Sequence, residues 1–465
     1  MLASADDREF QRVLGLAFIA SLVVCFSPLK TLAYATPAVV VGSLLVVHAD
    51  RDARNRAAAV ALAVCGGAAA FSVLSPEFLL GNYVLALVTY SAFLPLVIFD
   101  SRRLASTALL ERVVAACLVM IAIQGTIGVI QAVNGALVSG SFGGSNGDRV
   151  EGTIHLPLPS EMSFANPMFT TNMVMMLLVS FAVPAAVTRR RLTILVGLVA
   201  IVLASVMHIL VFLVASLVVG TLIMRVRTKF SSRRPRAMLV VIALVCGLTY
   251  AAMPAEVGNI TVYAERAVDL EAVDIPRAVL VHRVLNELPD QAPLQPYVGL
   301  GPGQFSSRAS LIASGLYLGG PDAPKAVPLF DVQATQLAVD YCFSLYVAFI
   351  DAETQMGSTQ QPFFSWLSLY TEFGLVGVIA VLAVVFRLLR RVRRRAHEVP
   401  AVAWQARLFA SGVVFLMLLG IQENYWEVPQ AIFVGVLLLK ILYGVVMHGE
   451  PAADAAASGP PTGAS

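Results

Sequence analysis

The sequence predicts an all-α polytopic membrane protein of about twelve membrane-spanning helices with one large loop on the outer face, and three observations predict it. The chain of 465 residues is 58% hydrophobic and only 13% charged, with a mean hydropathy of +0.79. A soluble domain carries about 25% charged residues, so half the charge that keeps a folded chain in water is absent. The apolar residues gather in runs of about 20, long enough to cross a bilayer. The basic residues sort to alternate connections between those runs. A net charge of +3 gives no reason to expect a nucleic-acid partner.

The runs are, in order, Leu14 to Ser27, Leu32 to Val47, Ala57 to Leu74, Leu79 to Phe99 and Val113 to Val133. After a polar stretch come Phe169 to Val187, Leu192 to Met224, Ala237 to Met253, Phe364 to Leu388, Val402 to Gly420 and Ala431 to Val446. Leu192 to Met224 covers 33 residues and is flanked by Arg189 to Arg191 on one side and by Arg225, Arg227, Lys229, Arg233 and Arg234 on the other. Both flanks favour the same side of the bilayer, so the run reads as a hairpin turning near Ser205 to His208, which makes twelve crossings. With the N-terminus inside, only Lys30, Arg149, Arg266, Arg277, Arg283, Arg308 and Lys325 fall outside, 7 of 32 basic residues. The first span has no small-residue cleavage site after it and reads as an anchor.

This divides the chain into a five-helix membrane part (1–133), an outer loop (134–167), membrane helices that include the hairpin (168–253), a large outer loop (254–363), a three-helix membrane part (364–448) and a disordered tail (449–465). Four of the five cysteines, Cys25, Cys65, Cys117 and Cys246, lie in apolar runs and Cys342 alone in the large loop, so no disulfide framework is expected.

The polar chemistry is confined to the outer loops. Arg149, Arg277, Arg283 and Arg308 stand there against the charge bias of that face, and a guanidinium fork matches a pair of phosphate oxygens, such as those of a lipid phosphate or pyrophosphate. The alternative is pairing with carboxylates of the same loop, among them Glu265, Asp269, Glu287 and Asp290. Gly299, Gly301 and Gly303 lie in five residues, as a turn or a close backbone approach requires. No Gly-Lys-Ser/Thr follows them and no strand-helix unit surrounds them, which excludes a Walker loop and a dinucleotide fingerprint. There is no His-Glu-x-x-His and no paired Cys-x-x-Cys, so neither a metal nor another cofactor is expected. His282 and His208 are the candidate general bases or phosphate contacts. Ionisable residues are almost absent from mid-span positions, which counts against ion-coupled transport.

Three stretches together resemble the O-antigen ligase and polymerase superfamily of bacterial cell-surface polysaccharide enzymes. The first is Arg149-Val-Glu-Gly-Thr153 followed by Phe164-Ala-Asn-Pro-Met168. The second is Arg277 and Arg283 ahead of Gly299-x-Gly301-Pro-Gly303-x-Phe305, and the third is Leu367-x-x-x-x-Glu372-Phe-Gly374-Leu-Val-Gly377. The run Gly303 to Arg308 is similar to exopolysaccharide polymerases of the xanthan kind. Where the family carries His-Asn before the third stretch this chain has Phe363-Phe364, and where it often has Ser-Arg-Gly at the hairpin tip this chain has Met207-His208-Ile209. The first departure lowers the ligase reading and leaves the proton acceptor unassigned.

The resemblance implies a GT-C-like fold in the bacterial inner membrane, with both termini cytoplasmic and the loops periplasmic. It implies a metal-independent, inverting glycosyltransferase that polymerises repeat units, moving a glycan from undecaprenyl pyrophosphate onto a lipid-linked repeat. On this expectation Arg149, Arg277, Arg283, Arg308 and His208 bind the pyrophosphate, Gly299, Gly301 and Gly303 position the loop, and His282 and Glu372 are catalytic. A chain-length regulator and a flippase of the same pathway are the expected protein partners. The alternatives are a ligase delivering glycan to lipid A core and a flippase or exporter of lipid-linked sugars.

Overall fold

The computed structural model describes residues 5–48, 50–75, 77–140, 149–154, 166–224, 276–327, 331–351 and 361–449, with isolated positions between 243 and 250. Most of the expected span Ala237 to Met253, Arg266, the basic run after Met224, Phe164 and the C-terminal tail lie outside the described residues. Every described element is helical, and no strand occurs among them. The principal helices are α1 (Ala5–Cys25), α2 (Lys30–His48), α3 (Arg51–Leu74), α4 (Leu80–Thr89) continued by α5 (Leu94–Ile98), α6 (Thr107–Ser139), α7 (Asn166–Ser180), α8 (Pro184–Arg189), α9 (Arg191–Leu203) and α10 (Met207–Ile223). After them come α11 (Pro276–Asn286), α12 (Arg308–Ala313), α13 (Ser365–Glu398), α14 (Ala403–Gln422) and α15 (Pro429–His448), with shorter helical turns between α11 and α13.

Six helical segments are long and apolar enough to cross a membrane: Arg51–Leu74, Leu80–Ile98, Thr107–Val138, Ser365–Glu398, Pro400–Gln422 and Pro429–His448. Lys30–Val46, Arg191–Leu203 and Met207–Ile223 are shorter apolar helices. The apolar stretch of α3 is unburied, with Leu62 and Val73 facing outward at 74% and 85% exposure. Apolar surface on that scale is unfavourable in water and favourable in hydrocarbon. The protein is a helical membrane protein.

Local chemistry sets the helix ends. The Asp50 carboxylate accepts the Ala53 N–H at 2.6 Å to start α3, and Ser106 Oγ accepts Leu109 N–H to start α6. Gly140, at φ 78°, closes α6 by donating its N–H to Ala136 O at 2.8 Å. Among the described residues α15 is the axis of the bundle, buried among α1, α2, α7 and α14. The long run Leu192 to Met224 is broken at Ala204 to Val206, with Ser205 in the left-handed region at φ 60°. Its two arms take different neighbours: α9 lies along α6, and α10 along α14, with α7 touching both. Gly220 permits the second contact, because a Cβ there would lie 2.6 Å from the Ser411 backbone nitrogen.

The helix termini sort to two ends. At one, Gln430 Nε2 donates to the carbonyls of Cys25 and Ser27, Leu79 N–H donates to Gln304 Oε1, and Asn166 Nδ2 donates to Ala204 O. At the other, Gln11 Nε2 donates to Arg103 O, Arg103 pairs with Asp50 at 3.5 Å, Ser101 Oγ lies 3.2 Å from His448 Nε2, and Trp404 Nε1 donates to Phe181 O. The second end carries Arg102, Arg103 and the arginines that close α13; the first carries the glycine-rich segment and the polar residues described next.

Candidate functional site

The glycine-rich segment is wrapped around the start of α13. Gly299, Gly301 and Gly303 have φ of 80°, 103° and 79°, a conformation closed to most side-chain-bearing residues. The helix is itself broken at Gly374 (φ 64°), and Gly299 and Gly374 lie so close to the opposite backbone that a Cβ on either would sit 2.2 Å from a main-chain atom. Leu300 and Gly301 donate their N–H groups to the carbonyls of Thr371 and Glu372. The Glu372 carboxylate then accepts N–H groups from Gly303 at 2.7 Å and from Phe305 and Ser307 at 3.2 Å. Glu372 is fully buried, and both its oxygens are engaged by the loop backbone. The residue expected to be catalytic is thus also the one that holds the loop backbone in place.

The same loop is gripped from the other side by the turn between α14 and α15. Asn424 Nδ2 and Ser368 Oγ both donate to Ser306 O, at 3.1 and 3.0 Å. Ser365 donates through N–H and Oγ to Glu423 O, and its Oγ accepts the Trp426 N–H. Trp366 and Trp426 meet edge to face with centroids 4.9 Å apart. Glu427 Oε2 accepts the Arg308 N–H and, at 3.4 Å, Asn424 Nδ2.

These two scaffolds bring together three of the expected anion-binding residues. Arg277 on α11 donates from Nε to Gln361 O at 2.9 Å and from Nη2 to Gln422 O, while its Cζ lies 5.2 Å over the Phe364 ring. Phe364, at a position where the resemblance called for a polar residue, is thus a platform for a guanidinium. Arg308 is 9% exposed, its Cζ stands 4.7 Å over the Tyr317 ring, and its Nε is buried without a hydrogen-bond partner among the described residues. His208, in the first turn of α10, lies 3.1 Å from Tyr425 Oη with the two rings stacked.

The electrostatics tie the group together. Burial lowers Arg277 to about 10, against the opposing pull of Glu423 and Tyr425. Burial also disfavours the charge on Arg308, but Tyr317, Tyr34, Glu423 and Tyr346 outweigh it and hold the guanidinium above its ordinary range. Burial raises Tyr425 well above the usual phenol range, with Glu423 adding to the rise. Glu427 is pushed up to about 8, first by burial and then by the charge of Glu372, with Arg308 opposing.

Arg283 and His282 do not join this centre. Arg283 donates only weakly, at 3.4 Å, to the carbonyls of Asp340 and Tyr341 and lines an open cleft of about 420 Å³ with Glu287, Gln291 and Asp340. His282 is 69% exposed and 3.6 Å from Glu287. Helix geometry gives the reason: six residues along α11 turn the chain by roughly 600° and advance it roughly 9 Å, so Arg277 and Arg283 face about 120° apart. Arg149 heads a separate docked segment. There Gln131 Oε1 accepts the N–H groups of Glu151 and Gly152, Gln124 Oε1 accepts that of Thr153, and Thr153 Oγ1 donates to Phe26 O at 2.5 Å. Arg149 itself is half-buried and has no ion pair among the described residues.

Sequence reasoning missed Tyr34, Tyr317, Tyr346, Glu423, Tyr425 and Glu427. The available signal was the turn Gln422 to Glu427, which packs two carboxylates, two amides and two aromatic rings between two apolar helices. No group of three or more His, Cys, Asp or Glu residues is arranged for a metal ion among the described residues. Fold and site together define a helical membrane protein with a buried cationic and phenolic centre at one end of its bundle. No known family model matches the chain, and no curated protein matches it.

Proposed function

We propose that this protein is a polysaccharide polymerase that transfers a glycan from undecaprenyl pyrophosphate to the sugar hydroxyl of a lipid-linked repeat on the outer face of a bacterial inner membrane. The observation that carries the reading is the Arg308 guanidinium, buried with its Nε unpartnered among the described residues and sharing the electrostatic neighbours Glu423 and Tyr425 with a second arginine already oriented by two backbone carbonyls. An anionic ligand would give the open Nε a charge-assisted hydrogen bond, worth about 1.5–3 kcal/mol. Two guanidiniums at the end of a membrane bundle suit the diphosphate of a lipid carrier.

In this reading the acceptor hydroxyl displaces the diphosphate at the anomeric carbon. The C–O bond breaks toward the diphosphate, and Arg277 and Arg308 stabilise the charge that grows on the departing oxygen. Direct displacement inverts the anomeric configuration. His208 and Tyr425 add donors beside the arginines. Tyr317 serves as a packing surface for Arg308.

The charge sorting supports a topology with the basic end and both termini cytoplasmic. Residues 225–275 join α10, which runs away from the site end, to α11, whose Arg277 reaches Gln422 at the site end. That supports one further crossing at Ala237 to Met253, a total of twelve spans and a GT-C-like architecture. The test is binding of undecaprenyl diphosphate to the protein in lipid nanodiscs together with chain length in cells. Arg277→Ala should weaken binding at least tenfold and abolish polymer while the protein still reaches the membrane. Polymer of normal length in that variant would refute the reading.

A further inference from the structure

The proposed transfer releases a hydroxyl proton, and nothing so far receives it. Glu372 has its oxygens filled by three N–H donors, and His282 stands outside on α11. Glu427 differs from both. Its Oε2 accepts the Arg308 N–H, which fixes the carboxylate directly behind the arginine, while its Oε1 is buried without a hydrogen-bond partner among the described residues. Arg308 Nε is likewise without a partner there, and the hydroxyls of Tyr90 and Ser368 stand against the Glu427 carboxylate, within hydrogen-bonding influence of it. Buried polar atoms are paired in the great majority of cases, so an open carboxylate oxygen beside an open guanidinium nitrogen marks a place where a polar ligand or water belongs.

Resting on the polymerase reading, we propose that Glu427 is the proton acceptor of the transfer: as the acceptor oxygen bonds to the anomeric carbon and the diphosphate leaves with the C–O electron pair, the hydroxyl proton passes to Glu427 Oε1. The neutral carboxylic acid then returns the proton to water before the next transfer. The groups that face Glu427 are Arg308 from α12, Glu372 from α13, Tyr90 from the turn after α4 and Tyr34 from α2. Arg308 favours the carboxylate; Glu372 and burial favour the acid and bring its titration to about 8. A base works best when it titrates near the working pH.

Spheroplasts of the host expose the outer face to buffer and contain the native lipid-linked repeats, so polymer formation can be followed there from pH 5.5 to 9. The wild type should polymerise faster as pH rises toward about 8. Glu427→Gln keeps an oxygen to accept the Arg308 N–H but cannot take a proton, and should lose at least 100-fold of the rate at every pH, while binding undecaprenyl diphosphate in nanodiscs within threefold of wild type. Glu427→Asp should retain a rate above that of the Gln variant, with the rising pH dependence. A Gln variant that polymerises normally, or one that loses diphosphate binding and folding along with activity, would overturn the assignment. Undecaprenyl diphosphate binding that survives both Arg277→Ala and Arg308→Met would instead remove the polymerase reading itself.

Discussion

Replacing Arg308 by Met separates a structural arginine from a functional one. The side chain is 9% exposed and stands over one aromatic face, Tyr317 at 4.7 Å, with Glu423 among the groups that favour its charge and its Nε unpartnered among the described residues. Tyr317, Tyr34, Glu423 and Tyr346 together favour the charge over burial, so methionine of similar length gives up those attractions and the cation–π contact and should destabilise the fold by about 1–3 kcal/mol. The Arg308 N–H to Glu427 is a backbone bond and survives the change. Activity should fall much further than stability: losing one preorganised donor at a developing anion costs about 10²–10³ in rate. Thermal unfolding in detergent, followed by tryptophan fluorescence from Trp366 and Trp426, would read the first effect, and polymer length in cells the second. A variant that melts earlier and polymerises normally would show that the guanidinium holds the fold, and the site would have to be sought elsewhere.

Other substitutions probe the scaffold and its boundaries. Glu372→Gln offers one acceptor oxygen to three N–H groups and turns an amide nitrogen toward the loop, at about 1–3 kcal/mol for each buried donor left unpaired; membrane levels and melting temperature should fall together, and a stable, inactive variant would favour the catalytic reading of this residue. Arg283→Ala empties one wall of an open cleft and should leave polymer yield within threefold of wild type, whereas a tenfold loss would return Arg283 to the centre. Glu427 is raised from 4.5 to about 8, so its contribution to stability is fully present below about 4.5 and is lost as pH rises through about 8. Melting temperature should therefore decline with pH across that window, and Glu427→Gln should flatten the decline; parallel curves for the two proteins would contradict the shift.

The membrane character was legible because hydropathy and charge bias are properties of the chain in one dimension, and a helix of about 20 apolar residues has few alternatives. The broken run Leu192 to Met224 was legible for the same reason: arginines at both flanks forbid a single crossing, and the helix breaks at Ala204 to Val206. What the sequence hid was where its two arms pack, since that depends on Gly220 meeting Ser411 across nearly 200 residues. The glycines of the loop announced their backbone, and all three have positive φ. Their purpose was not announced, because it lies in a carboxylate about 70 positions away: Glu372 was visible as a motif residue, but a motif gives a position, and only the three converging N–H groups give the role. Arg277 and Arg283 look equivalent in a list of outer arginines, and helical phase alone separates them, one to the centre and one to a surface cleft. The largest omission, the turn Gln422 to Glu427, follows from expecting chemistry in long loops. Six residues between two apolar helices carry the amide that holds Ser306, the carboxylate that holds Arg308 and the phenol that reaches His208. A turn that short has little freedom relative to the helices it joins, and on the proposed transferase reading that rigidity would serve to orient charges around the leaving group better than a long loop could.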